Sequence, residues 1–191
     1  MDELHLDLSL ITACSYGRIE QAVVLLRQGA NPSSENSASI RYACMNNQIE
    51  AVRLLVSDGR VMAHPVRYLL IDACRRGQTE IVEIFLNEGS IDPDDLDAAA
   101  LRVAASADHS DIVRLLLQDG RANPTARNYE AIITAIERGS VGIVEELLTD
   151  ERVDINYRGG MFYNIARYLG RIELQQLLND DTLRNSRRRV A

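Results

Sequence analysis

The chain contains no lysine. All 21 of its basic residues are arginine, set against 28 acidic residues, for a net charge of −7 over 191 residues. A molecule with that balance is not drawn as a whole to nucleic acid or to an anionic membrane surface. Tryptophan is also missing and only 5% of residues are aromatic, which argues against a core built on large rings. No apolar run approaches the roughly 18–20 residues that a membrane span needs. The opening, MDELHLDLSLITAC, lacks a basic stretch ahead of an apolar one and does not read as a secretory signal. Three cysteines leave one unpaired under any disulfide scheme, which points to a reducing compartment, the cytoplasm. There is no GxSxG, GxGxxG, P-loop or HExxH motif, so neither catalysis nor a cofactor is expected.

The cysteines are better read as a ruler. Cys14, Cys44 and Cys74 lie 30 residues apart twice over, and each follows an alanine. Internal repeats have to be sought before any single site is interpreted, and the register runs through the chain. Gly17, Asn47, Gly77, Asp108, Gly139 and Gly170 are spaced by 30 or 31 residues. Each precedes an apolar stretch: IEQAVVLLRQG, IEAVRLLVSDG, TEIVEIFLNEG, SDIVRLLLQDG, VGIVEELLTDE and IELQQLLNDD. Each follows a shorter segment with an alanine at one place: Ala13, Ala43, Ala73, Ala104, Ala135 and Ala166. In IVRLLLQDG the apolar positions Ile112, Val113, Leu115, Leu116 and Leu117 cover a broad helical face, with Arg114 and Gln118 pointing away. Gly29, Gly59, Gly89 and Gly120 stand where a left-handed residue closes a helix. Asn31-Pro32, Asp92-Pro93 and Asn123-Pro124 then mark turns. The unit is helix, tight turn, helix, extended loop, and it buries its helices only by stacking on neighbours.

Six such units in register resemble the ankyrin repeat, whose pattern is roughly TPLHxAAxxGHxxVVxxLLxxGAxxN. Leu10–Asn31 and Leu101–Asn123 match its alanines, turn, paired apolars and closing turn most fully. The resemblance implies an all-α ankyrin-repeat solenoid of about six stacked helix-turn-helix units with short β-turn finger loops. A single domain is expected over residues 1–181, with repeats at about 5–33, 36–63, 66–93, 97–124, 128–155 and 159–181. No copy keeps the Thr-Pro-Leu-His opening; the equivalents are LSLI, ASIR, YLLI, AALR, EAII and MFYN. The usual hydrogen bonds at the start of the first helix are therefore not expected, and the repeats are shortened in the loop.

Single residues can then be weighed. The cysteines occupy the second alanine slot of the pattern, filled later by Ala105, Ile136 and Arg167. Neighbouring slots are about one helix-packing distance apart, roughly 8–10 Å, too far for a disulfide or a shared zinc. Packing is their expected role, although Arg75 and Arg76 beside Cys74 could instead activate a thiol. His5, His64 and His109 are scattered, with burial or turn stabilisation expected rather than metal binding. The acidic loop IDPDDLD lacks the spacing of a calcium loop and reads as an N-cap for the helix that follows.

What remains is surface. The resemblance implies that partners dock on a concave face formed by the loops and first helices. Carried over position by position, that face holds Met45 and Asn46 in the second repeat, and His64, Arg67, Arg75 and Arg76 in the third. In the fifth it holds Arg127, Tyr129, Glu137 and Arg138, and in the sixth Tyr157, Arg158 and Tyr168. Arg and Tyr are frequent binding hot spots, and Arg grips carboxylates bidentately; the alternative is a set of ordinary solvated arginines. The implied function is a monomeric, non-catalytic scaffold for another protein, one with an acidic segment. Absence of lysine suggests an alternative. Codon bias explains it incompletely, because the AT-rich codons of Ile and Asn are well used. Lysine accepts ubiquitin, so a lysine-free chain suits a ligase adaptor, or a viral or bacterial effector in a host cell's cytosol or nucleus. The tail TLRNSRRRVA reads as a frayed end or a basic targeting patch.

Overall fold

The structure, a computed structural model, describes residues 3–61, 63–89 and 91–180, leaving aside the side chains of 63–67. His64 and Arg67 of the expected face, and the basic tail, lie outside the described residues. Among those described, every element is an α-helix. The helices fall into two compact units, Met1–Asp92 and Pro93–Ala191. The first holds α1 (Glu3–Ser15), α2 (Ile19–Arg27), α3 (Ser34–Met45), α4 (Ile49–Asp58), α5 (Ala63–Arg76) and α6 (Thr79–Glu88). The second holds α7 (Asp95–Ser106), α8 (Ser110–Asp119), α9 (Ala126–Arg138), α10 (Val141–Thr149), α11 (Tyr157–Tyr168) and α12 (Ile172–Asn179). Within each unit first helices stack on first helices and second on second: α1 on α3 on α5 and α2 on α4 on α6, then α7 on α9 on α11 and α8 on α10 on α12.

The recurring alanine has a backbone reason as well as a packing one. In all six repeats its carbonyl accepts the amide N–H five residues on, from Arg18, Gln48, Gln78, His109, Ser140 and Arg171, at 2.8–3.1 Å. Such a bond closes a helix only when the residue before the donor is left-handed. That residue is glycine at 17, 77, 139 and 170, and Asn47 (φ 53°) or Asp108 (φ 64°) elsewhere. The alanines themselves are at most 1% exposed, so a larger side chain would collide with the neighbouring pair. Three residues earlier sits the main core column of Leu10, Ile40, Leu70, Leu101 and Ile132, also at most 1% exposed. Burying each contributes about 1.5–3 kcal/mol. The sixth repeat shifts this role by one position to Phe162, which is fully buried while Tyr163 is not.

The start of the first helix departs from a plain helix. Residues 35–37, 96–98, 127–129 and 158–160 form a left-handed turn with φ between 47° and 85°. Each turn is closed by a backbone bond, such as that from Ser37 N–H to the Ser33 carbonyl at 3.1 Å. Left-handed conformation costs about 1–2 kcal/mol per ordinary residue and least for Gly, Asn and Asp. The middle residue of the four turns is Asn36, Asp97, Asn128 and Gly159. The shortened loop is thus closed by a turn in place of the Thr-Pro-Leu-His entry.

Carboxylates tie consecutive loops together. Asp94 holds the N-cap position of α7 but makes no side-chain cap bond; its carboxylate accepts the Asn123 N–H, one repeat later, at 2.9 Å. The N-capping expected of IDPDDLD is therefore replaced by a link between repeats. Arg60 and Arg152 make a second kind of link. Each forks onto an aspartate two residues earlier, Asp58 at 2.6 and 2.8 Å and Asp150 at 2.9 and 2.7 Å. Their remaining nitrogens donate to the preceding repeat, to the carbonyls of Ala30 (3.2 Å) and Gly120 (3.1 Å). Arg121 forks onto Asp119 in the same way, at 2.7 Å through each nitrogen.

Candidate functional site

In the first unit, Asn46, Arg75 and Arg76 of the expected face make contacts internal to the protein. Asn46 donates from Nδ2 to the carbonyl and hydroxyl oxygens of Ser15, each at 2.9 Å. Met45 beside it is exposed. Arg75 and Arg76 lie three and four residues after Asp72 in α5 and share its carboxylate, at 3.0 and 2.7 Å. Both remain solvent-accessible, with one charge between them already balanced. Cys74, one residue before, is fully buried. Burial pushes its thiol from 9.0 to about 12, as it does those of Cys14 and Cys44; at Cys44 the Asp72 charge adds to the effect. All three are free thiols. The adjacent arginines do not activate Cys74, because their charge is turned outward onto Asp72.

In the second unit the expected residues converge. Arg127 pairs with Asp97 at 3.2 Å and approaches Glu130 at 3.9 Å. Tyr129 follows it in the left-handed turn, which presents its ring to Tyr157 of the next turn, centroids 4.4 Å apart. Phe162 completes the cluster, 5.5 Å from Tyr129 and 6.1 Å from Tyr157. The Arg158 guanidinium sits over the Tyr157 ring at 5.1 Å, a cation–π arrangement that leaves its N–H edges free to donate. Glu137, Arg158 and Tyr168 line one groove between α9 and α11, floored by Met161, Ile165 and Leu169. Tyr168 is 89% exposed. Arg138, next to Glu137, is exposed and forms no ion pair among the described residues.

Met161 and Ile165 were not among the expected contacts, although their spacing with Tyr168 and Leu169 (four, then three or four residues) marks one helical face. The histidines differ from one another: His5 is exposed, whereas His109 is half-buried and its backbone closes the turn onto Ala104. Among the described residues no helix is long and apolar enough to cross a membrane.

Residues 70–159 match the family model described as ankyrin repeats, in three copies. A comparison with curated proteins finds no match. Ankyrin repeats are generally protein–protein interaction modules and typically non-catalytic. By that match residues 70–159 are ankyrin repeats, and helix pairs of the same spacing and turn geometry stand on either side of them.

Proposed function

We propose that the chain is a non-catalytic scaffold that captures a partner protein on the face built from its first helices and loops, the concave face of the family. The observation that carries the reading is the aromatic and cationic cluster of the second unit. Tyr129, Tyr157 and Arg158 present two packed rings and a guanidinium laid over one of them, and Tyr168 adds an exposed ring. Such residues carry most of the energy in protein interfaces. The test is affinity capture from a eukaryotic lysate by the native chain, by Tyr157→Ala/Arg158→Glu, and by Glu83→Arg on the outer α6. Capture lost in the first variant and retained in the second is expected; the opposite pattern would overturn the assignment.

A second reading rests on chemistry that the chain lacks. With no lysine and three buried thiols, neither a side-chain amine nor a reactive thiolate is offered for ubiquitin transfer. That suits a protein that works beside ubiquitin ligases in a eukaryotic cell, as an adaptor or as a host-directed effector. Arg53→Lys and Arg167→Lys at exposed positions should shorten its lifetime in a cycloheximide chase. An unchanged lifetime would count against this reading.

A further inference from the structure

Charges in the second unit are not evenly satisfied. Arg102, Arg114, Arg121, Arg127 and Arg152 each meet a carboxylate. Arg138, Arg158, Arg167 and Arg171 form no ion pair among the described residues, and all of them fall within residues 138–171. Arg158 lies over a ring, while Arg171 donates to the Glu137 carbonyl at 2.7 Å, which holds its guanidinium at the end of α9. Among the described residues the exposed large apolar residues of this unit are Leu96, Tyr168, Leu169 and Ile172, two of them in the same stretch and the third just after it. Of these, Arg158, Tyr168 and Leu169 line the groove between α9 and α11, and Arg138 follows the lining residue Glu137.

We infer that this groove takes a short acidic segment of a partner protein, with one large apolar side chain seated on Met161, Ile165 and Leu169 and a neighbouring carboxylate held by Arg158. This deepens the scaffold reading and rests on it. Charge selects the occupant. A guanidinium whose face is covered by Tyr157 keeps its planar N–H edge for a bidentate acceptor, and the flanking arginines add a local positive potential to an otherwise acidic chain. The chain's own tail is excluded by sign, because Arg184, Arg187, Arg188 and Arg189 would meet like charge. Glu137, the one carboxylate lining the groove, sits at the end of α9 and can accept a backbone N–H of the bound segment.

A displayed random dodecapeptide library, selected on the full chain, tests the inference. Enriched peptides should pair Asp or Glu with a large apolar residue. A synthetic peptide from that pool, followed by fluorescence polarisation, should bind at least about tenfold more weakly to Arg138→Glu/Arg158→Glu and to Leu169→Asp, a loss of about 1.4 kcal/mol. The fold of each variant is checked by its thermal transition. Enriched peptides that are basic or uncharged, or binding unmoved by both variants, would overturn it. Selected peptides displaced only by Tyr129→Ala or Arg75→Glu would overturn the groove while sparing the scaffold reading. Binding retained in all of these variants would overturn both. Self-association of the native chain that Leu169→Asp abolishes would show a second copy as the occupant, and would also overturn the inference.

Discussion

The Gln78 side chain donates from Nε2 to the carbonyl of Cys44, 34 residues earlier, at 2.8 Å, and to Asn47 Oδ1 at 3.1 Å. It crosses from the turn of one repeat to the end of the preceding first helix. Arg171 makes the equivalent crossing to the Glu137 carbonyl at 2.7 Å. At these two turns the residue after the left-handed position thus serves as a clasp between repeats. Gln78→Ala should cost about 0.5–1.5 kcal/mol, read as a lower urea midpoint at unchanged slope. An unchanged midpoint would show that water replaces the clasp at no cost.

The turn residues themselves give a prediction of opposite sign at equivalent places. Asp108 holds φ 64° where other repeats have glycine, and Asp108→Gly should stabilise by about 0.5 kcal/mol once the added unfolded-state freedom is subtracted. Gly77, at φ 72°, has the reverse relation. Gly77→Ala should destabilise by about 1–2 kcal/mol. Thermal unfolding of the two variants separates them by direction alone.

Much of this architecture was legible, for a physical reason. Burial leaves room only for alanine at the helix crossing, and the backbone demands glycine or its substitutes at the turn; both demands recur every 30 or 31 residues. The left-handed turns were not legible in advance, because all four contain ordinary residues: Glu35, Leu96, Arg127 and Arg158. Only the middle residues Asn36, Asp97, Asn128 and Gly159 carry a trace of them. The links made by Arg60, Arg121 and Arg152 could have been found, since each follows an aspartate by two residues. Of the candidate groove, the sequence shows the residue types at Tyr157, Arg158 and Tyr168 but not their convergence, which depends on the turn at 158–160; the carboxylate that Arg75 and Arg76 share, Asp72, stands in the sequence three and four residues before them.

That carboxylate changes what charge reversal in α5 should do. Arg75→Glu/Arg76→Glu would set three carboxylates on one turn in place of one carboxylate shared by two guanidinium groups. Like charges at this spacing destabilise by about 0.2–0.5 kcal/mol per pair. The double variant should therefore unfold slightly earlier at low salt and recover in high salt. A thermal transition indifferent to salt would contradict the assignment.

The acid limb of the stability curve should follow the arginine forks. Hydrogen bonds from Arg60 and Arg121 hold the carboxyls of Asp58 and Asp119 below their ordinary 3.8. A carboxyl with a lowered folded-state pKa contributes stability that is complete above its unfolded value, about 3.9. That contribution is lost as pH falls through the folded value. Urea midpoints should thus hold from neutrality down to about pH 5 and fall below about pH 4. Asp58→Asn/Asp119→Asn should lower the midpoint at neutral pH and flatten the acid fall. An acid limb as steep as the native one would show that other groups drive it.

The thiols supply a test of packing. With Cys14, Cys44 and Cys74 at most 4% exposed and titrating near 12, a thiol reagent at pH 8 should label the native chain no faster than it opens. In urea all three should react at once. Prompt labelling of one native equivalent would reopen Cys74 as a reactive group.

The central claim, that a partner is held by the first-helix face, is most directly tested by hydrogen exchange of the chain with and without its captured partner, followed by mass spectrometry. The account predicts new protection in the peptides spanning α9 and α11 and the loops before them, with α8, α10 and α12 unchanged. Protection confined to those outer helices would contradict it.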